Sequence, residues 1–217
     1  VQSVAGTLNF NLAARYKIRG ANCGFVSACA SSSHALGYAY DEITLGRQDR
    51  MLVVGAEESF IENVIPFDAM RALSTNDDPD SACRPFDQSR DGFVVSGGAV
   101  ALVIEAASVA RSPPLTRMLG WSQASDGHHV ASPHPEGRGL ASAMKRAMRA
   151  ANVAPEAVDY VNAHATSTQA GDRAEALALR SVFGSSKPAV VSTKGMTGHG
   201  LSLSGVLEAA LTVLSID

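Results

Sequence analysis

The chain passes from a predicted strand into a predicted helix within one stretch, GFVSACASSSHALGYAYDEITL, residues 24–45. The run Gly24–Ala28 predicts a short buried strand. Three side chains then share one face of a helix over residues 31–45: Leu36, Tyr40 and Ile43. Cys29 lies between the two elements, so the sequence places a thiol at a strand-to-helix turn.

A cysteine at such a turn is a candidate nucleophile. Backbone N–H groups and the dipole of the following helix stabilise a thiolate, so we expect a lowered pKa for Cys29. Its neighbours, from Ala28 to Ser33, are small and leave room for a substrate. Thiolates attack thioesters, which predicts acyl transfer. A buried structural cysteine is the alternative, and it is our interpretation of Cys23 and Cys83.

Strands and helices alternate along the rest of the chain, as is typical of an α/β fold. Strands are predicted at 51–54, 99–104, 158–163 and 189–193, and helices at 138–151, 172–183 and around 203–213. Residues 59–90 contain three prolines and the turn-forming Asn76-Asp77-Asp78, which predicts a loop-rich stretch. A strand followed by a small-residue helix occurs at Cys29 and again at His199. A duplicated unit would bring these two side chains face to face.

Composition excludes several functional classes. The chain has 217 residues, of which 46% are hydrophobic and 18% charged, with a net charge of −3. This balance favours a packed globular protein and argues against nucleic-acid binding or a polybasic membrane patch. Three cysteines make no disulfide framework, and no apolar run is long enough for a membrane span. We expect a reduced, intracellular protein, and, because the chain starts at Val1 without methionine, a window on a longer one.

Two histidines follow predicted strands. His164 comes at the carboxyl end of one, where open α/β sheets bind ligands. His199 lies between Gly198 and Gly200 at the start of the last helix, so the helix dipole should keep its imidazole neutral and able to donate a hydrogen bond to developing negative charge. Structural roles at helix entries are the alternatives for both.

Other polar residues carry weaker signals. We expect His34 to be structural, and the Gly/Pro-rich loop with His128, His129 and His134 to lack ligands for a metal. Asp172 and Glu175 have the spacing of a helix-capping box. No glycine-rich nucleotide motif occurs.

Four motifs, taken together, closely resemble the β-ketoacyl-acyl-carrier-protein synthases, the ketosynthases among the thiolase-fold condensing enzymes. They are residues 26–32 around Cys29, residues 84–93 (RPFDQSRDGF), residues 162–168 (NAHATST) and residues 192–199 (STKGMTGH). They occur in the family's order and span essentially the whole chain. Residues 67–74 (FDAMRALS) are most similar to the dissociated synthases I and II.

The resemblance implies roles for particular residues. Cys29 would accept an acyl chain, and His164 and His199 would promote decarboxylation of malonyl carrier protein and stabilise the enolate. Lys194 would pair with an acidic residue, which Glu175 would supply, to orient the histidine site. Thr166 and Thr168 would hold the phosphopantetheine arm. Phe93 would help the malonyl group lose its carboxylate.

The resemblance also implies an αβαβα thiolase-like fold of duplicated βαβ sheets. Residues 1–110 would be the C-terminal part of its N-terminal half, and residues 111–217 the N-terminal part of its C-terminal half. The expected partners are acyl carrier protein, malonyl and acyl thioesters and a second copy of the chain. The resemblance implies no metal, cofactor, nucleic acid or membrane. The expected location is the cytoplasm, or else an organelle. A polyketide ketosynthase and a catalytically silent carrier-binding subunit remain alternatives. Because family chains are nearly twice as long, we expect a 217-residue piece alone to be inactive.

Overall fold

The computed structural model of the chain describes residues 7–216, so the outer ends of the two predicted domains lie outside the described residues. Its helices are α1 (Thr7–Tyr16), α2 (Ser31–Thr44), α3 (Ile61–Ala69), α4 (Arg138–Ala151), α5 (Gln169–Phe183), α6 (Lys194–Thr197) and α7 (Ser204–Leu214). Its strands are β1 (Arg50–Glu57), β2 (Gly98–Glu105), β3 (Tyr160–Asn162) and β4 (Ala189–Val191). Within the described range, no helix is long and apolar enough to cross a membrane.

The four strands form two separate pairs. β1 and β2 are antiparallel, with Arg50 opposite Glu105 and Glu57 opposite Gly98. Both are rich in aliphatic and β-branched residues, which fit a pleated surface covered by helices. β3 and β4 are parallel, with Tyr160 opposite Ala189. A helix connects them, since α5 lies between the two strands in the chain.

Helices α2 and α7 pack on the β1–β2 pair and on each other. Ala39, Val53 and Val206 form the centre of this core and are at most 3% exposed. The two helix starts approach closely because Gly205 has no side chain: a Cβ there would lie 2.7 Å from the backbone nitrogen of Ser33. The Val206 N–H also donates to the hydroxyl of Ser32 at 3.1 Å. The turn before α2 and the turn before α7 are thereby held side by side.

Two further apolar clusters complete the interior. The first joins α4 to α5 through Ala141, Ala178, Leu179 and Phe183. The second contains Cys83, Phe93 and Leu201 and links the segment before β2 to the segment before α7. This second cluster ties together segments more than 100 residues apart, beside the residues that the sequence singles out.

Most of the predicted elements are present. The helix at 138–151 has the predicted limits, and the strands predicted at 51–54 and 99–104 form the centres of β1 and β2. The helix predicted at 31–45 ends one residue earlier, and the helix predicted from Asp172 begins at Gln169. The alternation of strands and helices thus locates the main elements.

Two predictions are wrong. Residues 24–28 do not form a buried strand, and Val26 is 94% exposed. The segment pairs with no described strand, and its one backbone bridge joins Ser27 to Cys29. The loop predicted over 59–90 contains α3, which includes Pro66. Proline normally disfavours a helix interior, so its presence misled the prediction.

The close approach of α2 and α7 gives a testable prediction. Gly205→Ala would force the new methyl group into Ser33, and we expect it to lower the free energy of unfolding by about 1–3 kcal/mol. Gly195→Ala is the matched control, because its Cβ would meet no atom closer than 3.5 Å. Urea unfolding of both variants in the complete protein measures the difference. Equal stabilities would contradict the proposed packing.

Candidate active site

Cys29 lies on a strained turn directly before α2. Ala28 has a φ of +46°, a left-handed conformation that costs energy for a residue with a Cβ. The hydroxyl of Ser31 supports the turn from both sides: it accepts the N–H of Ser27 at 2.8 Å and donates to the carbonyl of Ala28 at 2.7 Å. The turn therefore holds the Cys29 thiol in a fixed position at the start of the helix.

His199 is 1% exposed and is held through its backbone and its ring. Its N–H donates to the Val94 carbonyl at 2.7 Å, and its carbonyl accepts the N–H of Ser96 at 3.1 Å. Its Nε2 lies 3.0 Å from Sγ of Cys29. Two residues separated by 170 positions thus meet in one hydrogen bond, as the repeated strand-and-helix pattern led us to expect.

His164 follows β3 and is positioned by Glu175. The Glu175 carboxylate accepts the N–H of His164 at 2.8 Å and that of Ala165 at 2.6 Å. The two imidazole rings of His164 and His199 lie edge to face with centroids 5.2 Å apart. Glu175 therefore acts on the loop before α5, which makes the capping interpretation of this residue wrong.

The donor atoms of Cys29, His164 and His199 all lie within 4.8 Å of one another. Zinc takes thiolate and imidazole ligands, so this set has to be tested against a metal site. Two such ligands on one tetrahedral zinc are about 3.5 Å apart. The 3.0 Å between Sγ and Nε2 is shorter and fits a direct hydrogen bond. The geometry is that of a thiol with two imidazoles close to its sulfur.

Lys194, at the start of α6, is 1% exposed, and its ammonium forms an ion pair with Glu208 of α7. The expected ion pair between Lys194 and Glu175 is therefore wrong. The two carboxylate oxygens of Glu175 accept hydrogen bonds from backbone N–H groups instead. Lys194 still interacts electrostatically with Glu175 and lowers its pKa, although burial raises that pKa overall. Burial likewise raises the pKa of Glu208.

Burial raises the pKa of the Cys29 thiol, against the lowering that we expected from the helix start. The Lys194 ammonium opposes this rise, but the loss of solvent around the sulfur outweighs it. The resting sulfur is a thiol. Formation of a thiolate at Cys29 therefore requires removal of a proton that burial favours.

Both histidines are held neutral. Burial, followed by the Lys194 ammonium, lowers the pKa of His199 to about 3. The protein atoms packed around its ring, the Lys194 ammonium and His199 lower the pKa of His164 well below its ordinary value, although part of this residue remains exposed to solvent. The neutral His199 that we expected is present, but burial and a neighbouring cation are the causes, rather than a helix dipole.

The remaining predicted site residues are Phe93, which contacts His199, and two threonines on the loop that carries His164. Phe93 is 5% exposed and lies edge to face with His199, with ring centroids 5.0 Å apart. The hydroxyls of Thr166 and Thr168 lie 3.1 Å from each other on the loop after β3. Between them Ser167 has a φ of +66°, and its hydroxyl accepts the N–H of Arg84 at 3.0 Å. This contact joins the loop to the residue 84–93 motif.

In the sequence analysis Asp172 has only a capping role, and Glu208 and Ser204 are not named. Asp172 is 1% exposed, accepts the N–H of Phe86 at 2.7 Å and pairs with Arg90. Glu208 is the only acidic residue in α7, an otherwise apolar helix, and a lone charge in that pattern signals a buried partner. Ser204 lies 3.0 Å from Nδ1 of His199, and nothing in the sequence pattern singled it out.

The weaker candidates lie elsewhere. His34 packs edge to face against Trp121, with centroids 6.5 Å apart. His128 and His134 contact each other, but they do not belong to a group of three close metal-ligating side chains in residues 7–216. Neither set contributes to the centre around Cys29.

Two family models cover almost the whole chain. The β-ketoacyl synthase N-terminal domain matches residues 2–110, and the β-ketoacyl synthase C-terminal domain matches residues 115–217. The chain belongs to the β-ketoacyl synthase family. The resemblance drawn from the four motifs is thereby confirmed.

Relatives and solved structures agree with this assignment. The 3-oxoacyl-[acyl-carrier-protein] synthase 1 of Haemophilus influenzae is 41% identical, over 100% of this chain and 53% of that protein. Synthase 2 of Coxiella burnetii is also 41% identical, over 93% of this chain and 50% of that protein. A β-ketoacyl synthase from Burkholderia phymatum STM815 superposes with a TM-score of 0.93 at 39% identity, over 97% of this chain and 52% of that chain. A type II polyketide ketosynthase in complex with its acyl-carrier protein also reaches 0.93, at 28% identity, over 97% and 54%.

The fold is therefore the α/β thiolase-like fold of ketosynthases, as the resemblance implied. The chain spans about half the length of the curated relatives it matches. All four motifs lie within the half that is shared.

The low pKa of His199 gives a prediction of acid sensitivity. Between pH 6.5 and about pH 3, His199 is protonated in the unfolded chain and neutral in the folded protein. Protonation of the unfolded chain at His199 therefore lowers the free energy of unfolding as the pH falls. His199→Gln should remove up to about 1.4 kcal/mol of this loss per pH unit. Urea unfolding from pH 7 to pH 4, followed by circular dichroism, measures the slope. Since the buried carboxylates are the same in both proteins, parallel slopes would contradict the pKa assignment.

The buried ion pair gives a second prediction. Glu208→Gln leaves the Lys194 ammonium without its ion-pair partner in the interior, and we expect a loss of about 3 kcal/mol in the free energy of unfolding. Glu136→Gln, which breaks the exposed pair with Arg138, is the control and should change stability little. Chemical unfolding of both variants tests this. A Glu208 effect no larger than that of the control would argue against the pairing.

Proposed function

We propose that this chain carries the catalytic centre of a 3-oxoacyl-acyl-carrier-protein synthase, an acyltransferase that extends an acyl chain by decarboxylative condensation with malonyl carrier protein. The observation that supports it is the cluster of Cys29, His164 and His199, whose reactive atoms lie within 4.8 Å of one another. A nucleophile and two neutral hydrogen-bonding groups are what acyl transfer and enolate stabilisation require.

In the first step the Cys29 sulfur attacks the carbonyl carbon of an acyl thioester on the carrier. The bond from that carbon to the carrier sulfur breaks, and the proton of the Cys29 thiol passes to the departing carrier thiol. Since burial raises the pKa of Cys29, this proton has to move during the attack. The product is an acyl-Cys29 thioester.

In the second step the malonyl thioester loses its carboxylate as carbon dioxide. The electron pair of the broken carbon–carbon bond becomes an enolate whose charge rests on the thioester oxygen. Neutral imidazoles of His164 and His199 donate hydrogen bonds to that oxygen. The edge of Phe93 beside His199 keeps this region apolar, which disfavours the malonyl carboxylate.

In the third step the enolate carbon attacks the acyl-Cys29 carbonyl. A carbon–carbon bond forms, the bond to the Cys29 sulfur breaks, and the thiolate released takes up one proton. The Lys194 ammonium, which lowers the pKa of Cys29, stabilises this thiolate as it leaves. Lys194 is thus assigned to tuning the charge of the site, with Glu208 as its ion-pair partner and Glu175 holding the His164 loop.

The substrates arrive on the phosphopantetheine arm of acyl carrier protein, without a separate cofactor or metal. Thr166 and Thr168 are assigned to bind this arm, because their paired hydroxyls lie on the loop that carries His164. A solved relative in complex with its acyl-carrier protein supports this choice of partner.

Fatty-acid elongation is favoured over polyketide synthesis. The 3-oxoacyl-[acyl-carrier-protein] synthases 1 and 2 of Haemophilus influenzae and Coxiella burnetii are 41% identical to this chain, whereas the type II polyketide ketosynthase is 28% identical. A catalytically silent subunit is disfavoured because Cys29, His164 and His199 are all present and in contact.

We also propose a division of the chain into two thiolase-like halves, at 1–110 and 111–217. The point at which the two family models meet, between residues 110 and 115, supports this boundary. The complete enzyme is assigned to the cytoplasm as a homodimer.

The test uses the complete protein that contains this chain, with acyl-carrier and malonyl-carrier substrates. We expect mass mapping to find the acyl group on Cys29 and a product longer by two carbons. Cys29→Ala should abolish acylation and condensation. His164→Ala and His199→Ala should still be acylated but should lower the rate of malonyl decarboxylation by at least about 100-fold, as expected for groups that stabilise developing charge.

Cys83→Ala is the matched control for the loss of a buried thiol, and it should leave acylation at Cys29 intact. An acyl group found on Cys23 or Cys83 instead would refute the assignment of the nucleophile. Binding of the carrier without any turnover of malonyl carrier protein would favour the silent subunit.

A further inference from the structure

Ser204 is a buried hydroxyl in contact with the catalytic cluster and has no role so far. It is the first residue of α7 and is 2% exposed. Its Oγ lies 3.0 Å from Nδ1 of His199. A serine at a helix start commonly caps backbone N–H groups. Here the Val206 N–H donates to the hydroxyl of Ser32 from α2, so that group is already satisfied.

The two ring nitrogens of His199 point at different partners. Nδ1 faces Ser204, and Nε2 faces the sulfur of Cys29. A neutral imidazole carries one proton, so one nitrogen donates and the other accepts. The partner of Nδ1 therefore decides which form of His199 faces Cys29 and any substrate in front of it.

Hydrogen-bond satisfaction distinguishes the two forms. If Nδ1 carried the proton, the Ser204 oxygen would accept it, and the serine's own proton would need another acceptor. Within residues 7–216 the hydroxyl of Ser204 has no hydrogen-bond partner other than Nδ1. A buried donor without an acceptor costs about 1–3 kcal/mol. If Ser204 donates to Nδ1, the hydroxyl and both ring nitrogens are satisfied, with the ring proton on Nε2 facing the sulfur of Cys29. Only the Cys29 S–H, a weak donor, is then left without an acceptor, which costs less than an unpaired buried hydroxyl.

We infer that Ser204 is a positioning residue that holds His199 in the form protonated on Nε2, so that this nitrogen always presents a donor to the reacting thioester oxygen. Ser204 touches no substrate and acts through the imidazole. The inference rests on the proposed condensing activity for its consequence, but the proton position itself is a property of the resting protein.

The test compares Ser204→Ala with the unchanged complete protein, both labelled with ¹⁵N-histidine. Long-range ¹H–¹⁵N spectra, assigned with the His199→Gln variant, report which ring nitrogen carries the proton. We expect Nε2–H alone in the unchanged protein and a mixture of the two forms in Ser204→Ala. Ser202→Ala is the matched control, because its hydroxyl at the same helix start bonds to Glu57 at 2.6 Å rather than to His199.

A kinetic readout accompanies the spectra. Ser204→Ala should lower kcat for malonyl decarboxylation about tenfold, the effect of losing one buried hydrogen bond, with KM nearly unchanged. A merely structural serine would lower thermal stability while leaving the ring proton on Nε2 and kcat unaltered.

The possible outcomes separate the two proposals. An unchanged proton position in Ser204→Ala overturns the assignment of Ser204, whatever the activity. A shifted proton position in a protein that condenses no substrate supports the assignment of Ser204 and refutes the proposed function instead.

Discussion

One buried ammonium group acts on every titratable side chain of the cluster, in addition to the loss of solvent there. Lys194 is 1% exposed and interacts electrostatically with Cys29, His164 and His199. A cation in the interior is tolerated only with a partner, and the carboxylate of Glu208 supplies it. The same positive charge lowers the pKa of both histidines and opposes the rise in the pKa of Cys29. One buried charge thereby favours neutral imidazoles and an easier release of the thiolate.

This arrangement requires two helix starts to meet. Cys29 lies before α2 and His199 before α7, and the absence of a side chain at Gly205 lets the two helices approach. Three hydroxyls each satisfy a polar group in this region. Ser31 stabilises the turn that carries Cys29, Ser32 accepts a backbone N–H of α7, and Ser204 contacts the imidazole of His199. Small polar residues thus replace apolar packing where the backbone has to turn beside Cys29 and His199.

Periodic patterns in the sequence predicted most of the regular elements. The apolar spacing at 138–151 locates α4 at its observed limits, and the aliphatic runs locate β1 and β2. The stretch at 24–28 looked like a strand, but strand formation depends on a pairing partner that local sequence does not reveal. Pro66 concealed α3, because proline ordinarily disfavours a helix interior and its presence favoured a loop in the sequence analysis.

The side chains of the site were predictable where a motif marked them, and their pairing was not. Cys29, His164, His199 and Lys194 stand in motifs, whereas the partner of Lys194 depends on which carboxylate the fold leaves unoccupied. Glu175 has the right charge and burial, but backbone N–H groups of the His164 loop already occupy its oxygens. Glu208 of α7 lies fourteen residues after Lys194 in the chain, and its carboxylate pairs with the ammonium. Competition for hydrogen bonds, rather than sequence distance or charge alone, therefore decides how a buried ionic network is connected.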